Sequence, residues 1–333
     1  VLVFRLLFEM TESESRNMST DQTNRSDRGV TLKELSSEFL GTLVLMLFGL
    51  GVNAQVTVGK MATAVPDGTI TTYAFGDYLT LNFGWGLAVM MGVYVAGGAT
   101  GAHLNPAVSL AMAVRKKLSW SKVPGYIAIQ VVAAFLAAAI VYLVYFEQIE
   151  YVEQSAQLQA INHAQALPME TADGMQIRVD VRDGQRTMET AGIFATYPRE
   201  FDDQLRVTNW TGLIDQFVGT ALLLLVICAI VDKQNIGPDV SLAPLAIGAV
   251  VMMIGMSFGA NCGYAINPAR DFGPRLLTYV GGWGSQVFLI PDNFWYLVPI
   301  VGPLLGGIAG VGLYDLLITR FHKHDEQDSD ELE

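Results

Sequence analysis

The sequence predicts an all-α membrane protein with six transmembrane helices and two re-entrant half-helices, arranged as an inverted repeat. Three observations carry this reading. Of the 333 residues, 51% are hydrophobic and only 16% charged, against roughly 25% charged in a soluble domain. Six apolar stretches, 35–58, 78–98, 124–146, 212–231, 240–260 and 294–318, are close to the ~20 residues a span requires. Two copies of one tripeptide, Asn105-Pro106-Ala107 and Asn267-Pro268-Ala269, stand in matching places in the two halves.

Taken in order, residues 1–34 read as a polar tail, expected to be disordered and cytoplasmic. Val1 to Phe8 is apolar but too short for a secretory signal. Because the chain opens on Val, Met10 and Met18 are candidate starts. The first span opens Glu38-Phe39-Leu40-Gly41-Thr42, and its counterpart opens Gln216-Phe217-Val218-Gly219-Thr220. Repeat one (35–146) and repeat two (211–318) each hold three spans, an odd number, so the second enters the membrane inverted. Such repeats with broken helices are typical of transport proteins. The spans are studded with small residues, and Gly255, Gly259, Gly263 and Gly302, Gly306, Gly310 recur every four positions. That pattern lets helix backbones approach within a membrane.

Each Asn-Pro reads as a helix start, with Asn as N-cap and Pro at the first helical position, where its missing N–H costs nothing. The Asn oxygen caps the backbone and the amide NH₂ is left free to donate. Two such starts meeting end to end make a pore. Their converging N-termini present partial positive charge, which repels cations.

The connection 147–210 has no Lys and more acids than bases, consistent with an outer face. Arg115, Lys116, Lys117 and Lys122 follow the first half-helix, and Arg320 and Lys323 follow the last span. By the positive-inside rule both sites and both termini are cytoplasmic. Residues 319–333 form an acidic tail. The net charge of −12 argues against a nucleic-acid partner. Cys228 and Cys262 lie in or beside apolar segments, so a structural disulfide is not expected. Glycosylation-type triplets at Asn17, Asn24 and Asn209 read as chance.

Gly101-Ala102-His103-Leu104-Asn105-Pro106-Ala107-Val108 and Gly263-Tyr264-Ala265-Ile266-Asn267-Pro268-Ala269-Arg270-Asp271-Phe272-Gly273-Pro274-Arg275 resemble the major intrinsic proteins (the aquaporin superfamily). Within them the chain resembles the glycerol-facilitator branch, the aquaglyceroporins, over roughly 35–318. The resemblance implies a passive channel in the plasma membrane, a homotetramer with one pore per subunit. It would conduct glycerol and similar small neutral solutes with some water, and no cofactor or metal is implied. Proton and ion exclusion would follow from pore diameter, lining groups and half-helix dipoles.

By the same resemblance the narrowest point falls on Trp85, Gly255, Tyr264 and Arg270. Trp85 and Tyr264 would form an apolar corner for a carbon chain. Arg270 would donate to its hydroxyls, and Gly255 would leave room for Tyr264 and for a solute wider than water. Arg270 sits in the first turn of the second half-helix, where a cation opposes the dipole; a charge kept at such cost inside apolar surroundings reads as functional. Asp271, four residues before Arg275, would support the half-helix and a neighbouring loop. His103 would either line the cytoplasmic mouth, with a pH gate conceivable, or pack through a hydrogen bond. Cys262 would lie near the outer mouth. Glu38 carries the acid that orients pore-lining carbonyls in this family; its counterpart here is Gln216, which lacks the strength of a carboxylate.

Other readings fare worse. A coupled transporter needs intramembrane acids, and Glu38 and Asp271, the candidates, both have structural duties. A non-conducting junction protein leaves Arg270 and Trp85 without purpose. No nucleophile–base set or metal-ligand spacing suggests an enzyme. A water-selective channel is the remaining alternative, disfavoured by Gly255 and Asp271.

Overall fold

The computed structural model describes residues 29–64, 70–166, 186–201 and 205–322. Most of the N-terminal tail, Met10, Met18, the triplets at Asn17 and Asn24, Lys323 and the acidic tail lie outside the described residues.

Helix α1 (Leu32–Val58) starts with a capping box: Thr31 Oγ1 accepts from Glu34 N, and the Glu34 carboxylate accepts from Thr31 N. A short antiparallel hairpin follows, β1 (Lys60–Ala64) against β2 (Ile70–Ala74), with Lys60 opposite Ala74. It was not expected from an all-helical reading, although Ile70-Thr71-Thr72-Tyr73 has the β-branched and aromatic composition that suits a strand. Asp77 caps α2 (Tyr78–Thr100) through a second box with Thr80. The first half-helix, α3 (Pro106–Val114), precedes α4 (Val123–Val144) and α5 (Phe146–Ala166). A four-residue turn of helix, α6 (Met188–Ala191), leads to α7 (Asn209–Val231) and α8 (Ala243–Phe258). The second half-helix, α9 (Pro268–Thr278), precedes short α10 (Gln286–Leu289) and α11 (Val298–Tyr314).

Among the described residues, five helical stretches are long and apolar enough to cross a membrane: α1, α2, α4, α7 and Trp295–His322, which contains α11. The expected span 240–260 is a helix of 16 residues, α8. Large apolar side chains face outward around the barrel, among them Phe48, Leu87, Leu136 and Leu143, as a surface in contact with acyl chains requires.

The packing shows the repeat. Helix α1 lies against α2 and α4 as α7 lies against α8 and α11, and α2 crosses α8 between the halves. At that crossing Gly86 meets Gly248, each nineteen residues before its own Asn-Pro-Ala. A Cβ on Gly248 would stand 2.4 Å from the Gly86 carbonyl oxygen, so no side chain fits there. Both half-helices pack against α4 and α11. The glycine stripe of α11 is buried on α7: a Cβ would fall 2.7 Å from Gln216 Cβ at Gly302, and 2.2 Å from the carbonyl oxygens of Phe217 and Ala221 at Gly306 and Gly310. Gly306→Val is therefore expected to destabilise the purified protein by about 1–3 kcal/mol through overpacking. Gly312→Val, where an added Cβ meets nothing within 4 Å, serves as the control in the same thermal unfolding measurement.

Candidate functional site

The two half-helices start where the sequence places them and are tied to each other. Asn105 Oδ1 accepts from Ala107 N at 2.8 Å, while Asn267 Oδ1 accepts from Ala269 N at 3.0 Å and Arg270 N at 3.3 Å. The Nδ2 groups are not wholly free, as the sequence reading had them. Asn105 Nδ2 donates to the Ile266 carbonyl at 2.8 Å, and Asn267 Nδ2 donates to the Leu104 carbonyl at 2.9 Å. One N–H of each amide is spent on the opposite half, and one remains for whatever occupies the cavity both residues line. Leu104 and Ile266 hold these carbonyls in place with φ of 52° and 43°. That left-handed conformation costs roughly 1–2 kcal/mol for a residue with a Cβ, and here the reciprocal bonds hold it.

A cavity of about 380 Å³ runs past this junction. Trp85, Tyr264 and Arg270 line one end, Asn105 and Asn267 the middle, and Lys117 and Val231 the other end. Most of its remaining wall is aliphatic. At the first end the Arg270 guanidinium carbon lies 4.2 Å from the centroid of the Trp85 ring, a cation–π contact, and Arg270 Nη1 donates to the Phe194 carbonyl at 3.1 Å. Gly255 is not among the lining residues. A Cβ there would stand 2.4 Å from Tyr264 Cζ and 2.2 Å from Asn82 Oδ1, so its missing side chain is the seat of the Tyr264 ring.

The supporting residues divide the work unequally between halves. Glu38, fully buried, accepts from His103 N (2.9 Å), Leu104 N (2.7 Å), Thr100 Oγ1 (2.6 Å) and Gln130 Nε2 (2.8 Å). Gln216 accepts from Ile266 N at 2.9 Å, but its amide donates to the Gly263 carbonyl at 2.6 Å. A carboxylate could make only the first bond. Asp215 beside it accepts from Asn261 Nδ2 and from the Cys262 thiol. His103 lines the cavity, with Nδ1 3.2 Å from Ser109 Oγ and its ring 5.3 Å from that of Tyr126. At the far end Arg115 makes two bonds to Asp315, 2.9 and 2.6 Å, and a third to Cys228 Sγ. The nearby Tyr314 hydroxyl donates to Asp232 and holds that carboxyl below its ordinary range.

Part of the 147–210 connection folds over the Arg270 end. Glu153 accepts from Thr187 N and from the hydroxyls of Thr187 and Thr190, fixing α6 on α5. Trp283 Nε1 donates to the Thr187 carbonyl. From there residues 193–196 meet the site one after another. The Ile193 carbonyl accepts from Asn53 Nδ2 (2.9 Å), the Phe194 carbonyl accepts from Arg270, and Thr196 N and Oγ1 donate to Asp271 (2.7 and 2.5 Å). Asp271 also accepts from Arg275 Nε at 2.8 Å, and both charges are buried. Asn53 Oδ1 accepts from Trp85 Nε1 at 2.8 Å.

Sequence reasoning missed Asn53, Phe194 and Thr196. Asn53 alone left a signal, an amide within an apolar span; the other two contribute mainly backbone groups. Asp271→Asn is expected to cost about 3–5 kcal/mol, since it strands the buried Arg275 cation, and thermal unfolding in detergent would read it. Gln216→Glu is expected to cost about 1–3 kcal/mol in the same assay, because the Gly263 carbonyl loses its donor to an oxygen.

A family model described as major intrinsic protein matches residues 25–314. Human aquaporin-9 is 39% identical over 297 residues, 89% of this chain and 85% of that protein. Human aquaporin-10 is 37% identical over 305 residues, 92% and 87% of the two chains. An aquaporin-10 of the tardigrade Milnesium tardigradum is 39% identical over 298 residues, but the match covers only 63% of that longer protein. The solved structure of the aquaglyceroporin from Plasmodium falciparum superposes with a TM-score of 0.66 at 29% identity, covering 87% of this chain and 97% of that one. With two capped half-helices joined head to head and a matching model over most of its length, the chain belongs to the major intrinsic protein family.

Proposed function

We propose that this protein is a passive membrane channel of the aquaglyceroporin branch, facilitating diffusion of glycerol and similar small neutral solutes with some water. It is an integral membrane protein and not an enzyme. The carrying observation is the cavity itself: an aliphatic bore with two amide donors at its middle and, at one end, a guanidinium over the Trp85 ring with the Tyr264 ring in the same wall. A polyol has that same division, carbons on one edge and hydroxyls on the other. Trp85 and Tyr264 take the carbons, and Arg270, then Asn105 and Asn267, donate in turn to the hydroxyls. Gly255 acts through the Tyr264 ring it admits. The cationic guanidinium and the two helix N-termini repel cations and hydronium.

Glu38 and Asp271 each accept at least three hydrogen bonds in buried surroundings. A carboxylate so engaged makes a poor proton relay, which favours a channel over a coupled transporter. His103 is a packing residue with a face on the bore. The Lys122–Glu34 and Arg115–Asp315 ion pairs put the start of α1, the end of α3 and the end of α11 at one end of the molecule. Basic residues gather there, so that end is cytoplasmic, both termini lie inside, and residues 193–196 stand on the outer face of the plasma membrane. The channel domain spans 35–318 as two repeats joined by 147–210, and the assembly is a homotetramer.

Stopped-flow light scattering on proteoliposomes tests this. A glycerol jump should give re-swelling well above that of empty vesicles, slowed about tenfold by Arg270→Val through loss of charge-assisted bonds, and slowed also by Trp85→Ala. Rapid water flow with no glycerol entry would instead make this a water-selective channel.

A further inference from the structure

Asn53 makes two hydrogen bonds, and both end at the Arg270 end of the bore. It lies near the C-terminal end of α1, in the run Phe48-Gly49-Leu50-Gly51-Val52-Asn53-Ala54, and is 5% exposed. A buried amide within an apolar span is costly unless satisfied. Here both ends are satisfied: Oδ1 by the Trp85 indole N–H at 2.8 Å, Nδ2 by the Ile193 carbonyl at 2.9 Å. The next carbonyl along the chain, Phe194, holds Arg270 at 3.1 Å, and Arg270 lies over Trp85 at 4.2 Å. Trp85, Asn53, the 193–194 peptide and Arg270 thus close a ring of four contacts. The indole is further seated on Gly49, where a Cβ would stand 2.4 Å from Trp85 Cζ3.

We infer that Asn53 is a positioning residue that fixes the aperture between Trp85 and Arg270, and with it the size limit of the channel. The inference rests on the reading that Trp85, Tyr264 and Arg270 form the constriction. A solute passing there must part the guanidinium from the ring. With Asn53 in place, the indole is held at its N–H and the turn carrying the Phe194 carbonyl is held at its neighbour, so neither wall yields far. The indole N–H is also committed, which leaves Arg270 as the donor a solute meets at this level. An aliphatic residue at 53 frees the indole to turn and releases the outer 193–194 turn. Larger polyols then gain on glycerol.

The test is a double-mutant cycle in proteoliposomes using wild type, Asn53→Val, Trp85→Phe and the double variant. Glycerol and erythritol permeabilities are measured in each and taken as a ratio. Asn53→Val is expected to lower the glycerol-to-erythritol ratio about threefold or more, on the scale of one lost buried hydrogen bond. In the Trp85→Phe background, which has no indole N–H, the same substitution should lower it by a smaller factor. Ultraviolet resonance Raman difference spectra between each protein and its Trp85→Phe partner report the indole N–H directly; its band should shift to the unbonded position in Asn53→Val. Should that variant fail to fold, Asn53→Ser, too short to reach both partners, takes its place.

An unchanged ratio with a shifted band overturns the inference, as does an equal drop in both backgrounds. If Trp85→Phe and Arg270→Val leave both permeabilities unaltered, the constriction reading itself has failed.

Discussion

Two helix N-termini stop in the interior of this protein, and their backbone N–H groups have no bulk water to turn to. In a bilayer every such group must find a partner within the chain, and that demand organises the rest of the structure. Asn105 and Asn267 answer it locally with their oxygens and globally with their amides, each bonding a carbonyl of the opposite half. The acceptor carbonyls belong to Leu104 and Ile266, both held with positive φ. Glu38 and Gln216 then steady the loops that carry those residues from behind. The half-helices, their caps and the loops before them are therefore one bonded unit that the surrounding helices clasp.

The clasp depends on backbones approaching closely. Gly86 against Gly248, and Gly302, Gly306 and Gly310 against α7, leave no space for side chains. Dispersion and shape must hold such crossings, because lipid offers no hydrophobic drive between helices. The closeness has a functional consequence. Gly49 and Gly255 are the absent side chains that let the Trp85 and Tyr264 rings lie where they do, so packing glycines and pore-lining aromatics are two aspects of one arrangement.

Asymmetry enters at the Arg270 end. The first half-helix has Val108 where the second has Arg270, and a buried guanidinium at that place needs an acceptor. The 147–210 connection supplies one through the Phe194 carbonyl, and Asp271 and Arg275 pin that segment through Thr196. Substituting Gln for the second carboxylate belongs to the same asymmetry. At 216 an amide both accepts from Ile266 N and donates to the Gly263 carbonyl, a pairing no carboxylate could make.

The sequence by itself determined the class of fold and the motif residues. Apolar spans, the paired Asn-Pro-Ala, the repeated Phe-x-Gly-Thr and the glycine periodicities are local patterns, and each follows from what a bilayer demands of any chain crossing it. Family spacing singled out Trp85, Tyr264 and Arg270, which line one cavity, and the Asp271–Arg275 pair could be read from its spacing of four. Only the tertiary structure decided which groups meet. Asn53 finds Trp85 across 32 positions and Ile193 across 140, and the Asn amides find carbonyls more than 160 positions away. The β1–β2 hairpin and the return of residues 193–196 over the bore likewise depend on neighbours remote in sequence. A backbone carbonyl is the same group at every position, so its selection as a partner leaves no mark on the sequence; that selection is made by packing alone.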